Sequence, residues 1–429
     1  MSEATLLHRR HQVMGSASPL FYDEPLELVK GEGVWLIDSN GKRYLDVYNN
    51  VPSVGHCHPR VVEAMAGQAA MLNIHTRYLN EHIVNYAERL TATFAEPLNS
   101  VMFTCTGSES NEVALRMARF ASGNRGVIVT DYNYHGNTAS LAEVTTAISG
   151  SEPFAAHARA VPIPCLYHAE GGDEQVAERY VTKVAEAIAS LRAAGVGVAA
   201  MLVDTLFANE GIPRLPCGYL ERVAKLVRDA GGLLIADEVQ AGFARTGDHM
   251  WGHQAYALVP DIVTLGKPMG NGFPLAGVVA RRELVESFGQ SNMYFNTFGG
   301  SPVAAAVGLA VLDVIEDEGL LENARRVGAQ LQAGLQLLAS RYPVIGDVRG
   351  KGLFYAVELV RDRLTREPAG AEARRIVNEM RRRGVLISKI GAGDNILKVR
   401  PPLVFSAANC EFFLETLDSV LGSAQGAQQ

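Results

Sequence analysis

The sequence predicts an α/β fold built on a mostly parallel sheet with helices on both faces. Two observations carry this prediction. From about residue 52 onward, short apolar runs of strand length alternate with amphipathic stretches of helical period. The runs are also continuously apolar, as strands are when both faces of a parallel sheet are covered.

Residues 1–50 open on a helical stretch. Val34-Trp35-Leu36-Ile37 and Tyr44-Leu45-Asp46-Val47 then flank the turn Asp38-Ser39-Asn40-Gly41-Lys42, a hairpin signature. The run 101–105 enters a glycine turn, and 108–120 follows helical periodicity. Strand-length runs recur at 126–130, 198–204, 233–237, 262–265 and 275–280, with amphipathic helical segments at 173–194 and 219–229. Past Ser301 come two helical stretches, the run 344–359, a helix around 372–383, strands at 385–388 and 396–399, and a terminal helix. These predict a smaller α+β domain. The expected division is an N-terminal segment 1–52 joining the small domain, a large domain 53–305, and a C-terminal small domain 306–429.

Composition narrows the function. The chain has 429 residues, 48% of them hydrophobic and 20% charged, enough for a large core in a globular protein. The net charge of −7 is spread along the chain and offers no basic face to nucleic acid or an anionic membrane. The cluster Arg381-Arg382-Arg383 ends a helical pattern, where cations complement the dipole. Five cysteines, an odd number with no CxxC, argue against a disulfide framework or a zinc site. His56-Cys57-His58 lacks a complete ligand set and reads as structural. No apolar run reaches the ~18 residues that span a bilayer, and none follows Arg9-Arg10 as in a signal peptide. A cytoplasmic protein is expected.

The chemistry gathers at strand ends, where sheets of this kind bind ligands. The run 233–236 delivers Asp237, followed by Glu238-Val239-Gln240. An isolated acid there is ordinarily a loop residue or a helix cap. Thirty residues later Ile262-Val263-Thr264-Leu265 delivers Gly266 and Lys267. A lysine at the end of a buried strand is partly desolvated, which favours its neutral, nucleophilic form. Its plain alternative is a lysine that snorkels to the surface. Gly270-Asn271-Gly272 lets the backbone pass close to a bound group, which favours the functional reading.

Cys105-Thr106-Gly107-Ser108 leads into a helix, where Gly107 and Ser108 can present N–H groups to a phosphate. Neither the Walker A pattern nor GxGxxG is present there. Tyr134-His135-Gly136 follows another strand tip, and its aromatic ring suits stacking on a flat heterocycle. Thr297-Phe298-Gly299-Gly300 is a second turn suited to a phosphate oxygen. Arg400, at a strand end before Pro401-Pro402, can clamp a carboxylate bidentately.

Together these pieces resemble the class III aminotransferases, the fold-type I pyridoxal-phosphate group. The resemblance rests on Gly107-Ser108-Glu109-x-Asn111-Glu112, Tyr134-His135-Gly136, the block from Leu234 to Gly247 around Asp237, Lys267 in Leu-Gly-Lys, Thr297-Phe298-Gly299-Gly300, and Arg400-Pro401-Pro402. It runs from about residue 35 to 405. It implies a seven-stranded, mostly parallel sheet and pyridoxal 5'-phosphate as cofactor. Lys267 would carry the cofactor as a Schiff base and shuttle the proton, and Asp237 would keep the ring nitrogen protonated. Gly107 and Ser108 would bind the phosphate, Tyr134 would stack on the ring with His135 beside it, and Gln240 would approach the phenolic oxygen. Thr297 would reach the phosphate of a neighbouring subunit, which implies a homodimer. Arg400 would hold a substrate carboxylate, with Tyr78 near the substrate.

Asn49-Asn50-Val51-Pro52-Ser53-Val54-Gly55-His56-Cys57-His58-Pro59 and Thr76-Arg77-Tyr78-Leu79 are similar to the subgroup of alanine–glyoxylate transaminases and phosphoethanolamine phospholyases. The loop Asp204-Thr205-Leu206-Phe207-Ala208-Asn209-Glu210-Gly211 departs from the family. Asn209 stands where ornithine- and 4-aminobutyrate-type enzymes carry an arginine-pairing glutamate, which disfavours those two specificities. The resemblance implies an aminotransferase working by a ping-pong mechanism between an amine or amino acid and a 2-oxo acid. A phospholyase releasing phosphate from an O-phosphorylated amine is the alternative. Arg400 favours transamination, since an amino acceptor brings a carboxylate. A silent scaffold is disfavoured because Lys267 and Asp237 are both present.

Overall fold

Seven strands line up as the central sheet: β1 (Ser100–Thr104), β2 (Gly126–Thr130), β3 (Ala158–Val161), β4 (Val198–Asp204), β5 (Leu233–Asp237), β6 (Ile262–Leu265) and β7 (Ala276–Ala280). Their order is β1-β7-β6-β5-β4-β2-β3 in this computed structural model, which describes residues 5–148, 150 and 152–425. The pairs β6–β5, β5–β4, β4–β2 and β2–β3 are parallel. β7 is antiparallel to both neighbours, so it runs against the other six.

The apolar continuity of the strands has a direct cause. β2, β4, β5, β6 and β7 are buried along their whole length. Successive side chains point to opposite faces. Val127, Val129, Ala200 and Leu202 therefore pack with the helix Gly107–Ser122, while Ile128, Met201 and Val203 pack with the helices Asp173–Ala193 and Tyr219–Asp229. β3 was not anticipated from sequence. It is a four-residue edge strand, Ala-Arg-Ala-Val, whose two middle residues are half-exposed, so it lacks the apolar run that marks the others.

Two smaller sheets flank this core. Leu28–Glu32, Trp35–Asp38 and Arg43–Asp46 form an antiparallel meander, and Val385–Leu386 adds to it in parallel, so both ends of the chain share one sheet. The expected hairpin is present, with Trp35 opposite Leu45. Its turn is tied by the Asp38 carboxylate, which accepts from the Asn40 and Lys42 backbone N–H groups. The strands Ile345–Lys351, Phe354–Leu359, Ile396–Val399 and Ser388–Ile390 form an antiparallel sheet in the order 345–351, 354–359, 396–399, 388–390. It carries Lys398 and, just past its third strand, Arg400.

His56 and His58 have structural partners. His56 Nε2 lies 2.7 Å from Asp46 Oδ2 and His58 Nε2 lies 2.9 Å from Glu318 Oε1. Among the described residues no helix is long and apolar enough to cross a membrane.

Candidate active site

The parallel strands end side by side, and their loops build one cavity of about 130 Å3. It gathers Gly107, Ser108, Tyr134, His135, Asp237, Gln240 and Lys267 from four separate segments of the chain. β5 supplies Asp237 as its last residue, and β6 is followed by Gly266 and Lys267, the first residue of a short 3-10 turn.

Asp237 is held by three donors. Its Oδ2 accepts from Asn111 Nδ2 and faces His135 Nδ1, each at 2.8 Å, and its Oδ1 accepts from the Val239 N–H at 3.0 Å. Asn111 is itself fixed, since its Oδ1 accepts from Thr264 Oγ1 at 2.6 Å. Burial works against a charge on His135, but the hydrogen bond and charge of Asp237, with the charges of Glu210 and Asp204, raise its pKa above the ordinary imidazole value. Burial pulls the Lys267 pKa below the usual amine value, and Arg400 adds to this, against the opposing pull of Asp237 and Asp204. An amine whose burial favours the neutral form and a fixed carboxylate thus share one cavity.

The opposite wall is made for an anion. Thr106 caps the Gly107–Ser122 helix, its hydroxyl accepting from the Glu109 N–H, and the Glu109 carboxylate accepts in return from the N–H groups of Cys105 and Thr106. The first-turn N–H groups of Gly107 and Ser108 have no carbonyl inside the helix to bond. A Cβ on Gly107 would stand 2.9 Å from Val239 Cγ2, so only glycine leaves the cradle open. Gly136 has φ +143°, and a Cβ there would come 2.6 Å from Ser108 Oγ. Phosphate donors, a ring-sized space walled by Tyr134, a carboxylate for a ring nitrogen and a neutral amine for an aldehyde all fit pyridoxal phosphate.

A second region adjoins the cavity through Gln240. Arg400, 4% exposed, donates through Nη1 to Gln240 Oε1 and through Nε to the Tyr48 carbonyl at 3.1 Å. Lys398, 2% exposed, donates to the same Gln240 oxygen at 3.0 Å. Burial, with the charge of Arg400, holds the Lys398 pKa well below the usual amine value. Lys398 was missed in the sequence reading, yet its signal is there. In a strand, i and i+2 share a face, which puts Lys398 on the same side as Arg400. Asn111 stood in a recognised motif without a role, and its side-chain bond to Asp237 is visible only once the strands are side by side.

Two residues lie away from the cavity. Thr297 is exposed in the loop following Asn296, and Tyr78 is 60% exposed and stacks on His75 at 5.2 Å. Arg77 stands over the Phe295 ring at 3.8 Å, so these two loops meet at the surface. Neither Thr297 nor Tyr78 lines this chain's own cavity.

Fold and cavity together define a pyridoxal-phosphate enzyme of fold-type I. The chain belongs to the class III aminotransferase family, whose model, described as aminotransferase class-III, matches residues 21–421. It is similar to a phospholyase from Arthrobacter solved in complex with phosphoethanolamine, with 50% identity and a TM-score of 0.96 over 98% of this chain and 100% of that one. A PLP-bound amine transaminase from an uncultivated Pseudomonas species is 32% identical, with a TM-score of 0.86 over 94% and 95% of the two chains. Among curated relatives, a Drosophila melanogaster protein described as alanine–glyoxylate aminotransferase 2-like is 40% identical over 96% of this chain and 86% of its own length. Pyridoxal phosphate is therefore the cofactor, and the relatives divide between transamination and phosphate elimination.

Proposed function

We propose that the chain is a pyridoxal-phosphate phospholyase acting on a small amine that carries a terminal phosphate, of the phosphoethanolamine type. The observation that carries this reading is the pair Lys398 and Arg400 converging on one amide oxygen, Gln240 Oε1. Two buried cation-forming side chains suit a dianion better than a monocarboxylate. A phosphate oxygen in the place of that amide oxygen would meet both donors and relieve the pressure on Lys398 to lose its proton. The Arthrobacter phospholyase bound to phosphoethanolamine supports the same substrate class.

Bound in the cavity, the cofactor supplies an electron sink for the carbon beside the substrate nitrogen. Lys267 takes the proton from that carbon through Nζ, a role that burial favours by lowering its pKa below the ordinary amine value. Asp237 keeps a proton on the ring nitrogen. Gly107 and Ser108 would hold the cofactor phosphate, Tyr134 would cover the ring, and Gln240 would approach the phenolic oxygen. Each phosphoethanolamine and water would yield phosphate, ammonia and acetaldehyde, with Lys398 and Arg400 holding the phosphate as it leaves.

Transamination is the second reading, favoured by Arg400 itself. Glu210 turns away toward Thr130, so no carboxylate of the Asp204–Gly211 loop pairs with the guanidinium and a 2-oxo acid could take that place. We also read the chain as a cytoplasmic homodimer. The exposed loop bearing Thr297, with Phe298 at 73% and Met293 at 87% exposed, borders a cavity of about 710 Å3 that a second copy would cover. Thr297 and Tyr78 would then serve the partner's site.

Incubating holoenzyme with phosphoethanolamine and no amino acceptor tests the main reading. Stoichiometric phosphate and acetaldehyde are expected. Alanine or glutamate formation from amine and 2-oxo-acid pairs, with no phosphate release, would overturn it in favour of transamination.

A further inference from the structure

Lys398 and Arg400 sit deep in the protein, and buried cations are ordinarily paired with a carboxylate. Among the described residues neither is hydrogen-bonded to one, although the charge of Asp204 acts on both. Asp204, the last residue of β4, reaches them at one remove. Its Oδ2 accepts from Gln240 Nε2 at 3.4 Å, and the other end of that amide, Oε1, is the atom the two cations share.

The loop after β4 brings no closer acid. Glu210 turns to the tip of β2, where its Oε1 accepts from Thr130 Oγ1 at 2.8 Å. What the loop delivers instead is apolar. Leu206, Ala208 and Ile212 pack with Phe354 in one buried cluster. Arg349 pins the loop there, its Nε donating to the carbonyls of Gly211 and Ile212, both at 3.0 Å.

Phe354 is fully buried, and strand register aims it at both cations. Ala356 stands opposite Lys398 on the neighbouring antiparallel strand. Phe354 and Arg400, each two residues along from that pair, therefore share its face. Lys398 Nζ lies over the Phe354 ring, 5.5 Å from its centroid, and the Arg400 guanidinium carbon lies 5.6 Å from it. The Tyr48 ring meets the same guanidinium at 5.1 Å. All three distances fall within the ~6 Å at which a ring quadrupole attracts a cation. Arg245 fixes the two strand ends together. Its Nη1 donates to the carbonyl of Leu353 at 3.3 Å and to that of Pro401, the chain neighbours of Phe354 and Arg400.

We propose that Phe354 is a positioning residue of the anion site: its ring face is the neutral partner that holds Lys398 and Arg400 inward where a carboxylate would otherwise stand. A carboxylate in contact would have to be displaced by an arriving phosphate and would repel it. A ring face attracts both cations without occupying any of their N–H groups, so only the Gln240 oxygen has to give way. The inference rests on the reading of Lys398 and Arg400 as the phosphate site.

Calorimetric titration of the holoenzyme with inorganic phosphate tests it. Phe354→Leu keeps the apolar cluster but removes the ring face, and phosphate is expected to bind about 5–30-fold more weakly. Made on top of Lys398→Met, the same change should cost a factor about 3-fold smaller, because one of the cations it acts on is gone. Equal cost in both backgrounds means a ring that only fills space, and overturns the proposal. Unchanged affinity in Phe354→Leu overturns it too, while leaving the phosphate site in place. Absence of phosphate binding by the wild-type protein removes the site and the proposal together. If Phe354→Leu fails to fold, phenylalanines carrying increasing numbers of ring fluorines are installed at position 354. Shape is nearly kept while each fluorine weakens the ring face, so phosphate affinity must fall stepwise, and equal affinity along the series overturns the proposal.

Discussion

The two sides of the active site meet opposite electrostatic problems. At the end of β5, the carboxylate of Asp237, which we propose meets the ring nitrogen, has its donors already in place from Asn111, His135 and the Val239 backbone. On the substrate side, Lys398 and Arg400 share a single neutral amide oxygen. The first side is complete within the chain, whereas on the second neither Lys398 nor Arg400 is hydrogen-bonded to a carboxylate, although the charge of Asp204 acts on both. Cofactor chemistry is therefore built in, and specificity is left to the unbalanced side.

The sharpest break in this comparison is Lys267→Ala. Loss of the amine that joins the two sides is expected to abolish turnover while cofactor still binds non-covalently, as equilibrium dialysis would show. Multiple turnovers by the variant would remove Lys267 from its role. Arg400→Ala comes next, with an expected loss of about 2–4 kcal/mol in kcat/KM for any anionic substrate, because a buried charged contact disappears. Unchanged kinetics would take Arg400 out of the site.

Lys398→Met sharpens the comparison further because it distinguishes the anions. The variant should lose about 1.5–3 kcal/mol against a phosphate-bearing amine and much less against a 2-oxo acid. Its thermal stability should hold or rise, since a desolvated amine is replaced by an apolar side chain of similar length. Equal losses for both anions would count against a dianion site.

The same division explains what could be read from sequence. The central strands were legible because both of their faces are buried, which writes a continuous apolar run. The acid and the amine were legible because each ends such a run, at Asp237 and Lys267. β3 was hidden because an edge strand of Ala-Arg-Ala-Val carries no such pattern. Lys398 was hidden for another reason. A lysine in a strand of the small sheet ordinarily points to water, and only the packing of that sheet against Gln240 turns it inward. The fate of Glu210 was out of reach, because the backbone of its loop is dictated by Arg349, 139 positions along the chain.

The smallest effect concerns the stability of the cofactor-free protein. Glu210 has a folded pKa of about 8, above its ordinary value of 4.5. An acid raised in this way stabilises the fold fully below its unfolded value, and that contribution is lost as pH rises through the folded value. Between pH 6 and pH 9 the wild-type chain should therefore lose on the order of 1 kcal/mol that Glu210→Gln retains, allowing for the partial exposure of the residue. Melting temperatures of the two proteins, measured without cofactor, should diverge across this interval, with the variant the more stable at pH 9. Parallel curves would mean that Glu210 is already ionised at neutral pH. The acids beneath β2 and β4 would then be as fully compensated as Asp237, and the contrast between the balanced and unbalanced sides would rest on Lys398 and Arg400 alone.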